Sequence, residues 1–197
     1  MTGQGVCSAE DVLLAVADRL SRPPASMSAA RARLAVLARR LPAPTGDAAA
    51  DLGAVAALLR DHLPSSGHGL PLLLPDALRA GRAHPLAAAA AALAAAHRAG
   101  FAVDAVGHGD RVWLAHGNGA SPLVVDPGAP EAPLDGRLLG VNLHWRCAHE
   151  LAALTLSRIA GRAERAGDLD LALRVVRERM ELPVEHAEVR AAQVRMN

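Results

Sequence analysis

The sequence predicts an α+β fold, mainly helical, with a small antiparallel sheet packed on a central helix. Three observations predict it. Between Pro85 and Arg98 every residue is Ala or Leu until His97, with a proline in the first turn, where it is tolerated, and Gly100 as a stop. A helix apolar on all sides belongs inside a domain, and the six alanines Ala87 to Ala92 let strands approach it closely. FAVDAV, RVWLAH and PLVVDP then follow, separated by the glycine turns GHGD and GNGAS, as three short strands. Before and after this block, apolar residues recur at helical spacing.

The elements can be justified in order. Met1 to Val6 is small and glycine-rich and is expected to fray. Ser8 and Asp11 form a capping-box-like start to a first helix, whose stripe is Val12, Leu13, Val16 and Leu20 and which ends before Pro23-Pro24. A second helix, Ser28 to Leu41, sets Leu34, Leu37 and Leu41 against Arg31, Arg33, Arg39 and Arg40. With no aromatic residue among them, these arginines read as a solvated face rather than a nucleic-acid surface. Asp47 caps a third helix that ends near Leu63. PSSGHG is a loop with His68 at the surface, and a short helix begins near Pro75, with Asp76 expected to cap or pair locally.

In the strands, Val103 and Ala105 point one way and Asp104 and Val106 the other; Val112 and Leu114 oppose Arg111, Trp113 and Ala115, so Arg111 and Trp113 share a face. Residues 128 to 140 read as a proline-rich surface excursion. From Val141 the pattern is read as helical, which would put His144 and Cys147 on one face. His149 falls out of phase with both, so no metal site is assigned. Two helices broken at Ala166-Gly167-Asp168 follow, with Leu169, Leu173 and Val176 expected at their shared interface, and a last helix is expected from His186 to Arg195.

At 197 residues the chain is long enough to bury a real core. A formal net charge of +1, spread along the chain, points to no polyanionic partner. Lysine and tyrosine are absent while alanine, arginine and leucine abound, a bias we ascribe to GC-rich coding. Two cysteines, Cys7 and Cys147, are too few for a disulfide framework and fit a reducing compartment. With no signal peptide or spanning segment in the pattern, a cytoplasmic protein is expected, with neither membrane nor nucleic acid as partner and no cofactor.

The run LLLPDALRAGRAHPLAAAAAALAAAHRAGFAVDAVG, followed by LVVDP, resembles the transglutaminase-like superfamily of the papain-type fold, most closely its SirB-type branch. The resemblance extends to Asp76, Arg79 and Arg82 before the central helix, and to a tail of near-tetratricopeptide spacing with Ala160, Gly167, Ala172 and Pro183. It implies a transglutaminase-like core over 1–140 and a helical tail over 141–197 packed on it. It also implies a cysteine opening the central helix, a histidine beginning the second strand and an aspartate ending the third. No Cys, Ser or Thr stands between Arg82 and Ala96, Arg111 occupies the histidine position, and Asp126 alone matches. An arginine is already protonated and cannot activate a thiol.

The resemblance therefore implies a noncatalytic member that binds a protein or a small molecule, with Arg111, Trp113, Asp126, His108 and His84 lining what remains of the cleft. Arg111 would either brace Asp126 in a buried pair or hold an anionic ligand. The alternative is an enzyme with a rebuilt site for acyl or amide transfer or hydrolysis, with His108, Asp126 and Cys147 as candidate catalytic groups and Asp110 beside them. Each of these has an ordinary alternative as a turn histidine, a turn-forming aspartate or an inert packed cysteine.

Overall fold

The computed structural model describes residues 8–21, 26–116 and 122–182. Its helices begin where the sequence supplies acceptors for free amides. Ser8 accepts from Asp11 N–H ahead of α1 (Ala9–Leu20), Ser26 from Ala29 N–H ahead of α2 (Met27–Ala38), and Asp47 from Ala50 N–H ahead of α3 (Ala48–His62). The short α4 (Leu74–Ala80) ends at Gly81, in a left-handed conformation that favours glycine, and Asp76 pairs with Arg79 at 2.6 Å. The central α5 (Pro85–Arg98) is buried on all sides from Leu86 to Ala96.

Five strands form one antiparallel sheet: β1 (Val103–His108), β2 (Arg111–His116), β3 (Leu123–Val125), β4 (Leu134–Asp135) and β5 (His144–Arg146), in the order β4-β3-β2-β1-β5. The fold is thus α+β and mainly helical, with a small antiparallel sheet on a central helix. Val103, Ala105, Val112, Leu114 and Val125 join the helical core with α5, while Val106, Trp113, Ala115 and Val124 form a second apolar cluster on the other face. Leu139 and Leu143, from the excursion after β3, pack against that cluster.

Two parts of the sequence reading need correction. The excursion contributes β4 and a 3-10 turn, Gly136–Leu139, and the stretch read as helical from Val141 first supplies β5, which pairs with β1. His144 is therefore a strand residue and Cys147 the N-cap of α6 (Ala148–Ala166), so the two share no helix face. The boundary drawn at residue 140 leaves β5 on the tail side, although it completes the core sheet.

The second correction lies in the tail. α6 is followed by α7 (Leu169–Glu181), and the side chains of α7 buried against the molecule are Ala172 and Val175. Leu169, Leu173 and Val176 are exposed, because α7 presents the adjacent stripe to α6 and α1. The expected break at Pro23-Pro24, the glycine turn at 117–121, Cys7, Pro183 and the helix at 186–195 lie outside the described residues.

Candidate functional site

Three segments meet at the start of α5. The β3 strand ends at Asp126, whose Oδ1 accepts from Gly128 N–H at 2.7 Å, closing a tight turn. A Cβ on Gly128 would stand 3.1 Å from Pro85 Cγ, so this turn leans directly on the first turn of α5. Asp126 Oδ2 accepts from the Arg111 guanidinium at 3.1 Å, and the guanidinium lies 4.8 Å over the Trp113 ring. The resemblance assigns its triad to the helix start, the start of β2 and the end of β3; here those positions hold His84-Pro85, Arg111 and Asp126.

The Arg111–Asp126 pair forms as expected, but at the surface: the side chains are 66% and 33% exposed, so it is not the buried brace. The alternation along β2 explains this. Arg111 and Trp113 share the face turned away from α5, and Trp113 is buried there in the second cluster while Arg111, at the strand end, covers its ring from outside.

His84 is half-buried and is the N-cap of α5; its Nδ1 accepts from Leu86 N–H at 3.2 Å. Burial, then the nearby charges of Arg158 and Arg162, hold this imidazole below the usual histidine range. With Nδ1 accepting, the ring proton sits on Nε2, so His84 at neutral pH carries a donor and has spent its basic lone pair on the helix. Arg158 pairs with Asp110 in the β1–β2 turn, and Arg162 donates to the Leu70 carbonyl at 2.9 Å. The edge therefore gathers Arg111, Arg158 and Arg162 with Asp110 and Asp126 around the exposed amides of a 14-residue helix.

His108 and Cys147 are not part of this constellation as a pair. The exposed His108 donates from Nδ1 to the Asn142 carbonyl at 3.1 Å, beside β5. In the β1–β5 register Ala105 faces Arg146 and Gly107 faces His144, which sets Cys147 beyond Arg146, opposite Asp104. Four strand residues then separate Cys147 from His108, about 13 Å, far outside hydrogen-bond reach. Among the described residues no imidazole hydrogen-bonds to the exposed Cys147 sulfur. Its backbone N–H donates to Glu150 at 2.8 Å, so its clear role is to start α6. Burial and then Arg146 hold His144 below the usual range, and no group of three or more His, Cys, Asp or Glu among the described residues is placed to hold a metal ion.

No family model matches this chain, and neither a curated protein nor a solved structure matches it.

Arg158 and Arg162 escaped the sequence reading, although their signal is visible: two arginines one turn apart in the otherwise apolar run of α6. A buried carboxylate also went unread. Asp51 accepts from Thr45 N–H and Oγ at 2.8 Å each and from Gly46 N–H at 3.1 Å. Burial pushes its carboxyl up, but these hydrogen bonds outweigh burial and hold it below the usual range. Two hollows, of about 240 and 210 Å³, lie away from the α5 edge, one between α1 and α7 and one between α2 and α3.

Proposed function

We propose that this chain is a noncatalytic, transglutaminase-like binding module, whose edge at the start of α5 takes an anionic group, the carboxylate of a small molecule or of a protein side chain. The observation that carries the reading is the chemistry of the three converging positions. His84 spends its basic nitrogen on capping α5, Pro85 has no reactive group, and Arg111 is a fixed cation held by Asp126. Such an edge can bind charge but has neither a nucleophile nor a free base at its centre.

Cations outnumber carboxylates there, three to two, and the helix start adds its own positive end. Arg111 gives one nitrogen to Asp126 and keeps further donors at the surface for a carboxylate. The transglutaminase-like assignment is supported by the order central helix, β1, β2, β3 and by the retained Asp126.

Thermal melts with a small dicarboxylate test the binding reading. The melting point of the parent rises with ligand concentration, and the rise, measured from each variant's own baseline, shrinks in Arg111→Ala and Arg162→Ala. No rise in the parent, or a rise that both variants retain in full, contradicts it.

A further inference from the structure

The α7 helix carries a feature that binding at the α5 edge does not use. Leu169, Leu173, Val176 and Met180 are 67%, 60%, 43% and 81% exposed, and their spacings of four, three and four residues are those of a coiled-coil seam. The seam falls within a narrow stripe of the helix. Its opposite side is held in place: Ala172 and Val175 are buried, and Glu178 and Glu181 both pair with Arg19 of α1. The stripe therefore faces outward from a fixed helix.

We infer that this stripe is a self-association surface, on which α7 of a second copy of the chain lies antiparallel about a two-fold axis. The apolar spacing is self-complementary in that direction: Leu169 meets Met180 of the second copy, and Leu173 meets Val176. Charge decides the direction. On one flank of the stripe Asp170 stands near the start of α7, and Arg177 stands on the same flank near its end. Antiparallel pairing brings same-flank positions together, so each Asp170 faces the Arg177 of the other copy, twice by symmetry.

A parallel arrangement would instead crowd Arg177 and Arg179 of both copies at one end and align the two helix dipoles. Asp170 is 75% exposed even while it accepts from Arg174, so it keeps acceptor capacity. Arg177 and Arg179 are exposed and make no ion pair among the described residues. One helical face is smaller than the roughly 800 Å² per partner of a standard interface, so the dimer is reversible and concentration-dependent.

Sedimentation velocity on the full chain, across a wide concentration range, tests this. The expected result is a monomer–dimer equilibrium that Leu173→Glu abolishes without lowering the melting point, since Leu173 is exposed. Asp170→Arg weakens the dimer on the order of tenfold, and adding Arg177→Glu to it restores the association. A chain that stays monomeric throughout, whether residues 183–197 or another protein occupies the stripe, overturns the inference. So does a dimer that is indifferent to Leu173→Glu, or one that the double exchange fails to restore.

Discussion

His84 shows how one side chain at the α5 edge is committed to structure. Its Nδ1 caps a helix whose interior is otherwise alanine and leucine, and burial with Arg158 and Arg162 depresses its pKa. Below the ordinary value of 6.5 the unfolded chain binds a proton that the folded chain resists, so stability falls as pH drops through that value and levels off below the folded pKa. We expect His84→Asn, which keeps a capping acceptor, to remove this part of the pH dependence with little loss at pH 7. His84→Ala should cost about 1 kcal/mol there. Urea titrations from pH 7 to 5 check both variants, and a parent whose stability is flat over that range contradicts the assignment. The histidine itself was legible as a helix-start residue; its capping role was not, because histidine is an uncommon cap and only the backbone geometry shows Nδ1 turned inward.

At the scale of elements, β5 is the instructive case. It spans only His144–Arg146, and an apolar residue between two polar ones in three positions cannot distinguish a strand from the start of a long helix. What fixes it is a partner distant in sequence. Arg146 lies across Gly107 of β1, donates to the Gly109 carbonyl at 2.9 Å and pairs with Glu150 at 3.2 Å, tying strand, turn and helix together. A Cβ at Gly107 would come within 2.8 Å of both the Arg111 carbonyl oxygen and Arg146 Nε. The carbonyl is backbone and cannot step aside, so Gly107→Ala should destabilise the protein by about 1–3 kcal/mol. A chemical denaturation curve measures it, and an unchanged midpoint would show that Arg146 does not need the gap. By contrast α5 was readable at both ends, since Pro85 and Gly100 bracket a run that can only be a buried helix. The α6–α7 contact was misread because two apolar stripes lie side by side on α7, and sequence alone does not say which one is covered.

For the whole molecule, the sequence located the place where three segments converge better than it foresaw their chemistry. Pro85, Arg111 and Asp126 come together as the resemblance implied, because the β1–β2 hairpin and β3 return to the start of the helix beneath them. That the Arg111–Asp126 pair is a surface one depends on which sheet face is covered, and the cover comes from Leu139 and Leu143, in an excursion with no periodic signal. No helix among the described residues is long and apolar enough to cross a membrane.

The central claim is that the edge binds without reacting, and covalent trapping tests it most directly. Intact mass measurement after incubation with activated acyl thioesters, on a Cys7→Ser background that leaves Cys147 as the sole thiol, reads any acyl-enzyme formed. We predict no accumulating acyl adduct, and alkylation of Cys147 at a rate unchanged by His108→Ala or His144→Ala. An acyl adduct on Cys147 that disappears when either imidazole is removed would contradict the account.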